Sequence, residues 1–596
     1  MNMRNIMRFI SLPIYLLLLS GCTTDTSLQN RIPNSLEEGR WPQWSGDLQN
    51  HHDATTPATR LNVTNVSTLA PVWKFNAKNS ISDTPTVDGD SVYFNSLAKT
   101  NLLGLFSKGQ LFALNKNTGK KIWSQSINHY TGSNLRNFSR SSPAISGDTL
   151  VIGDSINNLK YAAQTILLNK FKTQGSTVIA VNKNTGEKIW STVIEKHYAS
   201  RITMSPVIFE GRVYVGVSSL ESELPGVPIA GNHYKCCNFK GSLVALDLAS
   251  GNIVWKTLTI DPDLTEFAGA PVWGGSPPID PIKRRIYIGT GNNYQATEKF
   301  NNCLQQKTNP SARVTTEIVN ECALLSDHER NRFDSIIALD LDTGEIVWTK
   351  KTLLYDAWNA GCGADFIKFP PKNLKLCPPV VGVDGDFAQA PMLISIKGSE
   401  KKILVVGQKN GMIWSLDADS GAVIWSKQVG PGGKLGGHQW GSATDGRRAF
   451  FQTTNMEHRS VNLLLADGSQ KTTQGGFWTA LDVITGRILW QQEDPNSNLP
   501  LKGEGINHIL YGSNLGRGFF AAAMGPLTYI NGILFAGSLA GEIFALDAND
   551  GRILWSYKTI GSVVSAPSIV QDQLFWGVGY HLGLPGSELI SFKLPQ

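Results

Sequence analysis

The sequence predicts an all-β fold, an eight-bladed β-propeller of four-stranded blades, and three observations predict it. Seven segments end alike: "LFALNKNTGKKIW" at Trp123, "VIAVNKNTGEKIW" at Trp190, "LVALDLASGNIVW" at Trp255, "IIALDLDTGEIVW" at Trp348, "IWSLDADSGAVIW" at Trp425, "WTALDVITGRILW" at Trp490 and "IFALDANDGRILW" at Trp555. In each, a Gly stands four residues before the Trp and an Asp or Asn eight before it, a repetition that marks an architecture of stacked units. Trp73 in "LAPVWKF" closes an eighth, more degenerate copy.

The chemistry of one repeat gives its structure. An apolar β-rich run, then Asp or Asn with a Thr/Ser-Gly able to adopt positive φ, then a second β-rich run ending in an aromatic is a β-hairpin. The Trp supplies a large apolar face for a neighbouring unit to pack on. Units this small cannot bury their faces alone, and a ring of them leaves only short, protected edges. The last strand, "ELISFKL" at Glu588 to Leu594, is expected to join the first blade and close the ring. Spacings between the Trp residues run from about 50 to about 93 residues, with the excess between Trp190 and Trp425, where six cysteines also lie. Function is often built on such insertions.

The chain opens with Arg4, Arg8, a short apolar run from Ile14 to Leu19 and "LSGC", the order of a secretory signal that is too short to span a membrane. Leu-Ser-Gly-Cys resembles a bacterial lipobox, which would make Cys22 the lipidated first residue of the mature protein. The expected organisation is a signal peptide over 1–21, a linker over 22–40 and one propeller over 41–596. Export predicts paired cysteines, and spacing favours the local pairs Cys236–Cys237, Cys303–Cys322 and Cys362–Cys377 among the many connectivities possible. Formal charge is +6, and removal of Arg4 and Arg8 leaves 52 basic against 48 acidic side chains, a net +4, which gives no case for nucleic-acid binding. After the signal no apolar stretch approaches the roughly 20 residues of a span, so only a lipid is expected to hold the body to a membrane.

The repeat resembles that of the quinoprotein dehydrogenases, eight-bladed propellers that bind pyrroloquinoline quinone (PQQ) and calcium near the central axis. Smaller outer-membrane assembly scaffolds carry a similar repeat without quinone, so the cofactor positions must discriminate. In "TMSPVIFEGRVYVGVSSLESE" the resemblance implies that Thr203 and Ser218 serve the cofactor and that Glu221 ligates calcium, which takes several oxygen ligands. "VWGGSPPIDPIKRRIYIGTGNNY" is similar to the segment whose Trp forms the floor under the quinone and whose Asn binds the metal, here Trp273 and Asn292. "GQKNG" resembles the turn whose basic residue contacts the quinone oxygens, here Lys409, a cation suited to the charge that grows on reduction. "GGHQWGSATDG" resembles a further cofactor-lining turn, with Gln439 and Trp440.

The family's catalytic base is an Asp in a segment similar to "YDAWNAG", but that position holds Asn359, an amide that cannot accept a proton near neutral pH. "GDFAQAPML" resembles the family's stretch just after the base, as though 360–384 were an insertion, which makes Asp386 the expected base and Asp356 the second candidate. In the family a vicinal disulfide closes over the cofactor opposite the Trp floor, and Cys236–Cys237 would take that role from another loop. "CCNFKGSLVALD", "GTGNNY" and "QWGSATDG" resemble the polyvinyl-alcohol-dehydrogenase-like branch. The expectation is an exported, lipid-anchored, periplasm-facing alcohol dehydrogenase of simple, secondary or polymeric alcohols. No Cys-x-x-Cys-His occurs, so electrons would pass to a separate acceptor such as a cytochrome c. The alternative is a non-catalytic propeller lipoprotein acting as an assembly or interaction scaffold.

Overall fold

Each Trp-ending segment forms the outer pair of strands of an antiparallel sheet, and the computed structural model contains eight such sheets among the described residues, seven of four strands and one of five. The structure describes residues 39–595 except 98, 101–105, 134–136, 157–174, 227–235, 309–313, 364–374, 509–511 and 581–582. The described residues fall within one unit that runs from Ser35 to Gln596. The first blade uses Thr86–Asp88, Ser91–Ser96, Gln110–Asn115 and Lys121–Ser126, from the axis outward. The last takes Ser568–Val570, Gln573–Gly577 and Glu588–Lys593 from the C-terminal end, and its outermost strand is Ala70–Asn76, with Trp73 opposite Ser591. The ring therefore closes as the repeat pattern predicts.

The reason for the Trp and Gly in every repeat is a single contact made across blade boundaries. The indole Nε1 of Trp73, Trp123, Trp190, Trp255, Trp348, Trp425, Trp490 and Trp555 donates to the backbone carbonyl of Lys116, Lys183, Leu248, Leu341, Ala418, Val483, Ala548 and Leu69 respectively, at 2.9 to 3.3 Å. Each acceptor belongs to the next blade. The turn glycine of that blade lies flat on the ring: a Cβ on Gly119, Gly186, Gly251, Gly344, Gly421, Gly486 or Gly551 would stand 2.5 to 2.7 Å from the indole. These glycines also have φ of +67° to +78°, so both conformation and contact require the missing side chain. Trp555 has no such turn to meet, because the outer strand of the closing blade comes from the N-terminal side, and it docks on Leu69 instead.

Antiparallel pairing sends the connection between second and third strands, and the connection from one blade to the next, to the same face. The insertions use those connections. One, between Arg212–Ser219 and Ser242–Asp247, carries Glu221 and the vicinal cysteines. Another, between Arg285–Gly289 and Ser335–Asp340, carries two helices that the sequence did not announce, Glu298–Lys307 and Thr316–Ser326, capped by Thr297 and Thr315. The pairs Cys236–Cys237, Cys303–Cys322 and Cys362–Cys377 are all formed, the second tying the two helices together. Among the described residues no helix is long and apolar enough to cross a membrane, and Cys22 with the signal segment lies outside the described residues.

Ahead of the ring, residues 41–54 lace the innermost strands. Pro42, Leu48, Gln49, His51 and His52 accept through their carbonyls from Ile145, Ile279, Leu393, Thr444 and Tyr529, and Trp41 bridges Val87. This strap thereby touches six blades. His51 holds it, its ring between the carboxylate of Asp47 at 2.7 Å and the carbonyl of Leu393 at 2.7 Å.

Two measurements test this account. Gly486 and Gly446 both have positive φ, but a Cβ at Gly446 meets nothing within 4 Å. Gly446→Ala is expected to cost about 1 kcal/mol and Gly486→Ala at least about 2 kcal/mol, read as midpoints of chemical unfolding; equal losses would remove the dock from the explanation. Burial alone would lower the His51 pKa, but Asp47 outweighs it and holds the ring at about 9. A raised pKa means that the contribution of His51 is complete below about 6.5 and is lost as pH climbs through 9. Stability should fall between pH 7 and 10 more steeply in the wild type than in His51→Gln.

Candidate active site

The site is assembled by backbone before any side chain takes part. Trp273 opens a Trp-Gly-Gly turn in which Gly274 and Gly275 have φ of +73° and +65°, and a Cβ on Gly274 would run into the carbonyl of Ala388. Ala388–Gln389 in turn pairs in parallel with Gln439–Trp440. Trp440 has φ of +67°, a conformation that costs a non-Gly residue about 1–3 kcal/mol and that persists only where its surroundings impose it. Its ring meets Trp273 edge to face at 5.4 Å. Gln439 is buried, and its amide donates to the carbonyl of Gly436 at 3.2 Å.

Asp386 is the hub of this arrangement. Its carboxylate accepts from Trp273 Nε1 at 2.9 Å and from the backbone N–H of Asn292 at 2.7 Å, while its carbonyl accepts from the backbone N–H of Lys409 at 3.0 Å. The Lys409 ammonium lies 5.8 Å from the Trp273 ring centre and pairs at 2.7 Å with Asp384, a residue sequence reasoning passed over. Asp356, the second candidate base, accepts from the backbone N–H groups of Asp384 at 3.1 Å and Gly385 at 2.5 Å, so it shapes the turn that presents Asp384 and Asp386. Asn359 donates to the carbonyls of Tyr294 at 2.9 Å and Leu376 at 2.8 Å and accepts from Gly361 at 2.9 Å. A carboxylate cannot make the two donations, which explains an amide at this place.

A second group stands on the neighbouring blade. Thr203 Oγ1 and Ser218 Oγ share a hydrogen bond at 3.2 Å. The fully buried carboxylate of Glu221 accepts from the backbone N–H groups of Asn238 and Phe239 at 2.9 and 2.7 Å, just past the vicinal disulfide, and faces His197 at 3.5 Å. Cys237 exchanges hydrogen bonds with the side-chain amide of Gln295. Glu221 and Gln295 therefore hold the disulfide loop between them. The disulfide packs with Ile202, Val217, Phe239 and Tyr294, a cluster apart from that of Trp273 and Trp440, and the two groups meet along Asn292 to Tyr294, whose hydroxyl bonds Ser219 at 3.2 Å.

Charge is unevenly shared. Asp334, Asp356, Asp384 and Asp386 are all at most 5% exposed, and the equally buried Lys409 pairs with Asp384. Burial pushes Asp384 up to about 7, with Asp386 adding to the effect and Lys409 opposing it. Burial opposes a charged Lys409, but Asp384 and Asp386 outweigh it and raise its pKa. Burial lifts Asp356 to about 6, and burial together with Asp356 lifts Asp334 well above the carboxylate range.

Arg140 was also missed. Its guanidinium lies 3.9 Å over the Trp440 ring and 4.9 Å from Tyr580, and its Nε is buried with no partner. Position in the blade could have found it, since Arg140 precedes its inner strand by four residues, as Thr203 does. The unpartnered Nε1 atoms of Trp440 and Trp358 and the Arg140 Nε are donors that suit a planar, anionic, oxygen-rich group such as PQQ. The side-chain oxygens of Glu221 and Asn292 are hard donors that suit calcium. Among the described residues no three His, Cys, Asp or Glu converge as a ready-made metal site, so an ion here would share amide and cofactor oxygens.

A family model described as outer membrane protein assembly factor BamB matches residues 53–221, 387–515 and 478–577. A polyvinylalcohol dehydrogenase of Sphingopyxis sp. (strain 113P3) is 28% identical over 557 residues, covering 91% of this chain and 71% of its own length. A polyvinylalcohol dehydrogenase of a Pseudomonas sp. is 25% identical, covering 87% and 67%. The quinohemoprotein alcohol dehydrogenase ADHIIG of Pseudomonas putida HK5 has the same fold, with a TM-score of 0.62 over 95% of this chain and 82% of its own, at 15% identity.

Lys409→Met should destabilise the chain by about 3–5 kcal/mol, because it leaves Asp384 buried without its partner. Adding Asp384→Asn should restore most of the loss in thermal unfolding; no restoration would mean that the ion pair is not what Lys409 supplies.

Proposed function

Because the chain belongs to the propeller family described as outer membrane protein assembly factor BamB and matches PQQ-dependent quinoprotein alcohol dehydrogenases at the family level, we propose that it is itself such a dehydrogenase. It would oxidise an alcohol, secondary or polymeric alcohols included, with PQQ and calcium, and pass electrons to a separate acceptor such as a cytochrome c. The observation that carries this reading is the convergence of Trp273, Asn292 and Lys409 on Asp386. A scaffold has no need of buried carboxylates gathered around one lysine, which are costly unless paired. The three disulfides and the "LSGC" signal support an exported, lipid-anchored protein facing the periplasm.

When bound, PQQ would supply an acceptor for two electrons and the carbon-bound hydrogen, and calcium would supply Lewis-acid polarisation. Trp273 provides the aromatic floor, Trp440 lines the site beside it, Arg140 supplies the countercharge for an acidic group, and Glu221 and Asn292 are the metal ligands. Thr203 and Ser218 offer hydroxyls, Gln439 belongs to the lining turn, and Cys236–Cys237 forms the lid. Lys409 places a fixed positive charge where negative charge develops. Asp386 takes the hydroxyl proton of the substrate, and the two donors on its carboxylate fix the plane in which it does so. Asp356 positions it through the turn at Gly385.

The test is turnover with an artificial electron acceptor, after addition of PQQ and calcium, on primary, secondary and polymeric alcohols. Asp386→Asn should keep quinone binding and lose about 10²–10⁴-fold in kcat. Asp356→Asn should lose less. A wild type that is folded, quinone-loaded and inactive on every alcohol would overturn the reading.

A further inference from the structure

Two peptide groups flank the Cα of Asp386, and consecutive residues of one turn grip both. The carbonyl of Gly385, which leads into Asp386, accepts from the side-chain amide of Gln408 at 2.6 Å. The carbonyl of Asp386 itself accepts from the backbone N–H of Lys409 at 3.0 Å. Gln408 is fully buried, and its side chain spends its whole hydrogen-bonding capacity. Nε2 also donates to Thr352 Oγ1 at 2.9 Å, while Oε1 accepts from Trp414 Nε1 at 2.9 Å and from Asn410 Nδ2 at 3.1 Å. An indole N–H can only donate and a carbonyl can only accept, so Trp414 and Gly385 decide which way round the amide stands. The backbone carbonyl of Gln408 accepts from the N–H of His438 at 3.3 Å, one residue ahead of the strand Gln439–Trp440. One buried residue thus joins the turns that carry Asp386, Lys409 and Trp440.

Resting on the dehydrogenase reading, we propose that Gln408 is a positioning residue for the alcohol oxidation, one that sets the direction in which Asp386 points relative to Lys409. The argument is geometric. Tetrahedral bonding at a Cα leaves the Cβ no freedom once the backbone N and carbonyl C are placed. Gln408 fixes the peptide plane that holds the Asp386 N, and Lys409 fixes the one that holds its carbonyl C. Only the side-chain torsions remain, and the donors Trp273 Nε1 and Asn292 N–H settle the carboxylate. Asp356 grips the N–H of Gly385 from the other side, so this glycine is held at both of its polar atoms. An uncharged amide is what the place demands. A Glu carboxylate could accept from Trp414 but would set an oxygen against the Gly385 carbonyl and add a charge beside Asp384 and Asp386. A Met has the length of Gln and none of its hydrogen bonds. Because base and cation hang from one turn, their separation does not depend on how the longer insertions settle.

The experiment measures two quantities in Gln408→Glu, Gln408→Met and the wild type. One is PQQ affinity, from titration of the cofactor-free protein in calcium; the other is the rate of quinone reduction in the first turnover at saturating alcohol. Both variants should bind PQQ within about threefold of the wild type and reduce it about 10–100-fold more slowly, with little change in the alcohol concentration that saturates. Trp414→Phe leaves Gln408 in place and removes the donor that orients its amide, so it should show the same split at smaller size; it also carries the test if neither Gln408 variant folds. Gly486→Ala, which loosens a Trp dock away from the site, reports what lost stability alone does, and its first turnover should match the wild type. Unchanged rates in the Gln408 and Trp414 variants, a rate loss no larger than that of Gly486→Ala, or a PQQ affinity that falls in step with the rate would overturn the positioning role and leave the dehydrogenase reading standing. A wild type that is folded, quinone-loaded and inactive on every alcohol would overturn that reading, and the role with it.

Discussion

The interaction on which everything else depends is the dock of each Trp on the next blade. One indole N–H to one carbonyl, repeated eight times, fixes the angle between neighbouring sheets, and the glycine beneath seven of the rings fixes the distance. Eight equal steps must close on themselves, which is why the degenerate copy at Trp73 keeps its indole and why the chain returns to pair Glu588–Lys593 with the strand that carries it. With the angle set, the connections on one face point at a common axis. Residues more than 200 positions apart, Arg140 and Trp440 among them, then meet without any element of their own to bring them together.

The docks give the ring rigidity, and the axis spends some of it on unfavourable local states. Trp440 is held in a left-handed conformation, four aspartates are buried with a lysine paired to one of them, and several indole and guanidinium donors are buried without partners. Each is destabilising by itself.

The repeat made the fold legible because its two requirements, an aromatic and a glycine at fixed spacing, are local in sequence. The local disulfides were legible for the same reason. Resemblance nominated the motif residues Trp273, Asn292 and Lys409, and the structure brings these three to Asp386. What escaped was everything set by long-range geometry. Asp384 is one residue from a glycine that Asp356 holds, and only the folded turn shows that it meets Lys409. Asn359 looked like a lost base, yet its two donations to backbone carbonyls show a different task. Resemblance marks Glu221 only as a metal ligand, and the structure has it anchoring the disulfide loop. The strap over 41–54 and the two helices between Asn292 and Phe333 lack the repeat altogether, so no periodicity could announce them.

The central claim is that the end of the axis framed by Trp273, Trp440 and Arg140 is a quinone cradle. A crystal structure of the protein grown with PQQ and calcium tests it most directly. The account predicts a planar density on Trp273, with an acidic group at Arg140, quinone oxygens toward Lys409 and an ion at Glu221 and Asn292. Well-ordered crystals with no quinone density there, or with the quinone bound anywhere else, would contradict it.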